Sequence, residues 1–216
     1  QVVCVCFSLI TILFGSTMAL KEQHFKRRLA YSTISNLSYM LFGCSLMCAE
    51  GLTGALAHFL FHGIIKITLF FVAGIVLEKY KKAYVNDLFG YGHKMKITFG
   101  CFTIASLALM GVPPTIGFTS KWYLLTGAFG TGNWMGYAGM AVILISALLT
   151  SIYLMSVVIK VYFPGPTFKS EDIADVKDPG LYMTVPLVIL CVIIVALGIF
   201  STPLISFIQS VAGGLV

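Results

Sequence analysis

Three polar side chains recur at every fourth residue of an otherwise apolar run. His58, His62 and Lys66 lie in LTGALAHFLFHGIIKITLFFVAGIVLE, residues 52–78. On an α-helix this spacing stacks them on nearly one face, as a polar stripe roughly 12 Å long. The run is long enough to cross ~30 Å of hydrocarbon with some tilt, which places Lys66 near mid-depth. A charged lysine there costs roughly 2.5–3.5 kcal/mol even on insertion scales, so it belongs against protein, water or a partner charge. The chemistry that suits such a stripe is proton transfer through histidine, lysine and water. Zinc is the rival ligand, since His58 and His62 have the i, i+4 spacing of a helical metal pair. No HExxH glutamate accompanies them and no third ligand is evident, so we expect no metal.

A second lysine, Lys121, follows a break in the pattern. The stretch LMGVPPTIGFTSKWYLL places Pro113 and Pro114 inside an apolar segment, with Gly111 and Gly117 on either side. The prolines remove two backbone donors and clash with the preceding turn, and the glycines loosen the backbone. We expect a helix over 97–110, an unwound elbow, and a half-helix over 115–128. Irregular backbone at membrane depth is tolerable only inside protein or beside a wet cavity, so the elbow should mark an interior surface. Lys121 would then sit near the amino terminus of the second half-helix, where the helix dipole disfavours a cation. A lysine so placed is suited to releasing a proton. The alternative for either lysine is snorkelling, in which the long side chain carries its charge to the membrane surface.

The elements that hold these residues read as six membrane-crossing segments. The first covers 2–20 and ends at the basic loop KEQHFKRR, 21–28. The second, 29–47, is rich in hydroxyls and amides: Tyr31, Ser32, Thr33, Ser35, Asn36 and Ser38. Of these, Tyr31, Ser35 and Asn36 are candidates to line water beside Lys66, while interhelical hydrogen bonding would explain them equally well. A short link at 49–51 leads to the lysine-bearing third segment. The loop KYKKAYVNDLFGYGHKMK, 79–96, precedes the broken fourth, and a fifth covers 134–162. The polar loop PGPTFKSEDIADVKDPG then leads to a sixth over 181–200 and a partial helix in 201–216. We divide the chain into a five-helix unit, 1–162, and a loop, helix and tail, 163–216.

Composition supports this reading. Hydrophobic residues make up 58% of the 216, charged residues only 10%, and mean hydropathy is +0.96, far outside the soluble globular range. The chain is therefore an all-α, polytopic membrane protein. The net charge of +6 does not indicate nucleic acid, because the basic residues lie between spans and form no patch interleaved with exposed aromatics. Twelve of the fourteen Lys and Arg residues, Lys169 among them, fall in loops on one side. The other two are Lys66 and Lys121, so the positive-inside rule is obeyed and the basic loops should face the cytoplasm. The six cysteines lie in or beside apolar runs without CxxC pairs and read as small buried residues. Nothing at the amino terminus resembles a signal peptide, and the chain reads as part of something longer.

FKRRLAYSTISNLSYM, HFLFHGIIKITLFF and GVPPTIGFTSKWYLL, in that order, resemble the antiporter-like proton-conducting subunits of respiratory complex I, membrane-bound hydrogenases and Mrp-type cation/proton antiporters. The likeness covers nearly the whole chain and is weakest after Lys160. It implies two five-helix repeats of inverted topology, each with one broken helix, around a polar axis. The first five segments are similar to the second repeat. By that resemblance Lys66 corresponds to a lysine of the axis, His58 and His62 to its neighbours, and Lys121 to the ionisable residue of the exit half-channel, where some relatives carry glutamate. The first repeat is missing from these residues, so a longer subunit or a partner chain would supply it.

The resulting expectation is a subunit that moves H⁺ through a Lys/His relay within a redox-driven complex, beside other membrane subunits. It would lie in a prokaryotic plasma membrane, with an organellar inner membrane as the alternative. Exchange against Na⁺ in an Mrp-type antiporter and a non-conducting membrane scaffold are the alternatives. No nucleotide, quinone or metal motif is visible, so we expect no cofactor and no redox step on this chain.

Overall fold

The computed structural model describes residues 1–165 and 173–215. Lys169 and the part of the polar loop at 166–172 lie outside the described residues. Within them the chain is helical, with no named strand. The long helices are α1 (Val2–Lys21), α2 (Phe25–Ser45) and α3 (Ala49–Tyr80). A 3₁₀ turn (Val85–Leu88) and the short α4 (Tyr91–Lys94) fill the next loop. Then come α5 (Lys96–Met110), α6 (Ile116–Gly130), α7 (Trp134–Tyr162), α8 (Leu181–Ile199) and α9 (Thr202–Gly213).

Helices α1, α3, α7 and α8 are each long and apolar enough to cross a membrane. Helix α2 has 21 residues, about 31 Å, but is polar along its buried face. Helices α5 and α6, of 15 residues each, together form the interrupted span that the proline pair predicts.

Two expectations need correction. Residues 49–51 are not a link but the first turn of α3; the link is 46–48, where Met47 takes φ 55° and Cys48 is extended. Glu50 in that first turn complements the helix dipole, which explains the earlier start. The cysteines are not uniformly buried either. Cys101 and Cys191 are, but Cys4 and Cys44 are exposed, because they fall on the outward faces of α1 and α2.

The basic loops gather at one end of the bundle. Phe25 N donates to the Ala83 carbonyl at 2.8 Å, Val85 N to Gln23 O at 3.0 Å, and Gly90 N to Lys160 O at 3.2 Å. Lys160 Nζ donates to Asn86 Oδ1 at 2.6 Å. Asp178 closes this end by capping α5 across 80 or so residues: Oδ1 accepts from Thr98 N at 3.1 Å and Thr98 Oγ1 at 2.8 Å, and Oδ2 from Ile97 N at 3.2 Å. A carboxylate at a helix amino terminus both satisfies orphan donors and meets the positive end of the dipole. At the opposite end Gln1 Nε2 donates to the Leu46 carbonyl at 3.3 Å.

The apolar interior forms two clusters. The larger joins α3, α5, α7 and α8 through residues such as Phe61, Leu69, Phe99, Phe102 and Leu154. The smaller joins α1, α2, α6 and α7 through Ile12, Phe42, Leu124 and Ile143. The polar residues of interest lie on α2, α3 and α6, where the two clusters meet.

Candidate functional site

Lys66 lies near the middle of α3 and is 6% exposed. Its amine donates to the Leu29 carbonyl at 2.8 Å and to Ser32 Oγ, and lies 5.8 Å from the Phe70 ring centroid. Leu29 is in the second turn of α2, so the amine lies about 6 Å along that helix from its first residue. It therefore sits nearer the basic end than its place on α3 suggests, yet remains buried.

Lys121 is 7% exposed, and its amine does not lie among the free N–H groups at the start of α6. It folds back across the elbow and donates to the Leu109 carbonyl at 2.7 Å and the Met110 carbonyl at 2.8 Å. In a continuous helix those carbonyls would accept from the amides of residues 113 and 114. Both are prolines and have no N–H. The lysine supplies the two donors that the proline pair removed. A cation at a helix carboxy terminus is favoured by the dipole, so the destabilising position expected from sequence is replaced by a stabilising one.

The elbow is built for this approach. Gly111 takes φ +92°, a left-handed conformation that suits glycine at a helix end. A Cβ on Gly117 would run into the Ala108 carbonyl, so α6 can rest on the last turn of α5 only without a side chain there. The elbow is interior on that flank alone. Thr115, Ile116 and Gly117 are buried, while Val112, Pro113 and Pro114 reach the surface of the chain. The prolines point outward because Lys121 occupies the inner side.

Between the two amines the side chains form a polar chain through α2. Asn36 Nδ2 donates to the Ser32 carbonyl at 2.7 Å, which leaves Asn36 Oδ1 as the acceptor for His58 Nε2 at 3.1 Å. That assigns the His58 proton to Nε2, so Nδ1 accepts from Ser120 Oγ at 2.9 Å. Ser120 precedes Lys121. His62 stacks on His58 with ring centroids 5.8 Å apart, but its buried Nε2 has no hydrogen-bond partner among the described residues. Among the described residues no carboxylate pairs with either lysine.

The residues nominated from sequence thus separate. Lys66, Asn36 and His58 fall on one chain that stops at Ser120, while Lys121, next to Ser120 in sequence, bonds to the elbow carbonyls and not to the chain. His62 stands beside it. Ser35 belongs to another cluster, 2.8 Å from Ser16 Oγ and 3.2 Å from Ser146 Oγ at the α1, α2 and α7 contact. Tyr31 is half-buried against the larger apolar cluster. Sequence reading did not nominate Ser32 or Ser120, nor Tyr39, whose buried ring lies 5.9 Å from the Lys121 amine. The role of the Leu109 and Met110 carbonyls was within reach, since counting four residues back from each proline identifies them.

Fold and site define a class: a polytopic helical membrane protein that keeps ionisable side chains inside the bilayer, one of them bound to a broken helix. Within that class, residues 1–150 match the family NADH:quinone oxidoreductase/Mrp antiporter, TM, and the chain belongs to it. It is 36% identical over 204 residues to NADH-quinone oxidoreductase subunit N of Desulforudis audaxviator, covering 90% of this chain and 40% of that protein. It is 35% identical over 182 residues to subunit L of Rickettsia typhi, covering 84% and 27%. The fold is similar to a chain of the Mrp complex from Dietzia sp. (TM-score 0.87, 23% identity, 99% of this chain and 47% of that one). It is also similar to a chain of respiratory complex I from Thermus thermophilus with bound NADH (TM-score 0.85, 21% identity, 98% and 43%). The chain spans less than half the length of these relatives.

Proposed function

We infer that this chain is the second five-helix repeat, 1–162, and the following segment, 163–216, of an antiporter-like subunit that translocates protons. The observation that carries this reading is the pair of buried amines: Lys66 at the head of the Ser32, Asn36, His58 and Ser120 chain, and Lys121 on the residue after Ser120, bonded to the elbow carbonyls. Ionisable groups at membrane depth mark ion pathways. A proton on Lys66 passes toward His58 with water completing the step, because an amide such as Asn36 orients the imidazole but does not relay the proton. His58 Nδ1 receives it beside Ser120, and Lys121 takes the charge onward. His62 widens the polar space and holds His58 in register by stacking. Driving force comes from electron transfer in partner subunits of a prokaryotic plasma-membrane complex, and the basic loops face the cytoplasm. The remainder of the subunit, or a partner chain, supplies the other repeat.

The likeness to the Mrp complex supports a second reading, exchange of H⁺ for Na⁺ on the same residues. Reconstituted complex in Na⁺-free buffer separates the two, since only the antiporter stops. The relay itself is tested by Lys66→Ala in the full-length subunit. Proton pumping should fall by roughly 10²-fold or more while the complex still assembles. Full coupling in that variant rules the relay out.

A further inference from the structure

Helix α2 meets the titratable groups with one stripe. Ser32, Asn36 and Tyr39 follow one another at intervals of four and three residues, so they share a face. Ser32 bonds to the Lys66 amine and Asn36 to His58. The third member, Tyr39, reaches the remaining amine: Lys121 Nζ lies 5.9 Å from its ring centroid. The same ring abuts the His58 imidazole, with centroids 5.5 Å apart and planes inclined at 43°. Tyr39 therefore adjoins both the imidazole of the polar chain and the second lysine.

Its chemistry differs from that of the two residues before it. Tyr39 is 1% exposed and belongs to the smaller apolar cluster with Phe42, Leu124 and Ile143. The hydroxyl, the one group on it that could carry a proton, is turned to α7, where it donates to the Ile143 carbonyl at 3.4 Å. What His58 and Lys121 meet is the ring. An aromatic ring attracts a cation over its face but has no lone pair or N–H through which a proton could hop. In a close-packed interior the volume it fills is closed to water as well. A hydrogen-bonded link from His58 to the Lys121 amine is thereby barred on the α2 side. The α6 side is left to Ser120, whose Oγ lies 2.9 Å from His58 Nδ1.

We propose that Tyr39 is a positioning residue of proton transfer: its ring bars a water link between His58 and the Lys121 amine, confines the transfer to Ser120 and prevents passive back-flow. The proposal rests on the relay reading above and supplies the barrier that a relay needs, because two proton carriers joined by standing water conduct in both directions. No covalent bond changes; the ring acts by the space it fills.

The test is passive proton flow through the assembled complex, containing the full-length subunit, in sealed vesicles under an imposed pH gradient and without electron donor. Tyr39→Ser exchanges the ring for a hydroxyl and room for water, and should raise the leak about tenfold, a barrier lower by about 1.4 kcal/mol. Tyr39→Phe keeps the ring without its hydroxyl and should be as tight as the wild type. Tyr39→Ser combined with His58→Leu should be tight again, because the opened link begins at that imidazole. A leak that persists in the double variant reports general loosening and overturns the proposal, as does a tight Tyr39→Ser or a leaky Tyr39→Phe. If Tyr39→Ser does not assemble, Tyr39→His, which keeps a ring but adds a proton-carrying nitrogen, is held to the same outcomes. If Lys66→Ala abolishes pumping while any of these outcomes fails, the barrier is wrong and the relay stands. If Lys66→Ala pumps at full rate, the relay is what has failed.

Discussion

Lys66 and Lys121 are the same residue type, almost equally buried and without an anionic partner among the described residues, yet they are held in different ways. The Lys66 amine rests on an intact helix. The Leu29 carbonyl it touches also accepts from Ser32 Oγ at 2.8 Å and Thr33 Oγ1 at 3.0 Å, so removing the lysine leaves no acceptor stranded. The Lys121 amine rests on a broken helix and holds two carbonyls whose natural donors are prolines. One lysine is a guest of the scaffold and the other is a structural member of it. A group that must exchange its proton while also closing a gap in the backbone couples charge to conformation; the Lys66 site lacks that coupling.

The largest expected difference follows from this. Lys121→Met should leave the Leu109 and Met110 carbonyls unmatched, at about 1–3 kcal/mol for each buried group. Amide hydrogen exchange at Gly111, Val112 and Thr115 should then accelerate by roughly tenfold or more, whereas Lys66→Met should leave those amides unchanged. Equal acceleration in both variants would dissolve the distinction. Lys121→Arg sharpens it, because arginine keeps the donors but stays protonated. Exchange at the elbow should remain slow while proton transfer is lost.

A smaller contrast separates the two histidines. His58→Leu should cut pumping by roughly 10²-fold, since both of its ring nitrogens are engaged. His62→Leu should cost only a few-fold. A His62 variant as damaged as the His58 one would move the pathway onto the histidine stripe and away from α2. The smallest effect is expected at the far end of α5. Asp178→Ala removes its cap and should lower stability in thermal unfolding by about 1 kcal/mol. Exchange at the elbow should not change, which shows that the carboxy-terminal closure by Lys121 is independent of the amino-terminal one.

Much of this was legible in the residues themselves. The spans follow from hydropathy, and the bounds of α7 coincide with the expected 134–162. The break follows from Pro113 and Pro114, whose missing N–H groups make a continuous helix impossible whatever surrounds them. The four-residue spacing of His58, His62 and Lys66 likewise required a common face. Spacing does not say what that face meets. Asn36 and His58 are partners because α2 packs on α3, and Ser35, one residue away, turns instead toward α1 and α7. A shift of one position on a helix rotates a side chain by about 100°, so a list of hydroxyls cannot be sorted without the packing.

What the sequence determined by itself was a hydrophobic, multi-pass helical chain with two lysines it could not leave in lipid and one helix it could not keep straight. Only the tertiary structure decided that the second lysine bends back onto the carbonyls bared by the prolines, and that the polar chain runs through Ser32, Asn36 and Ser120. The reason is that local covalent geometry acts within one helix, whereas a donor finds its acceptor across helices that the chain brings together only on folding.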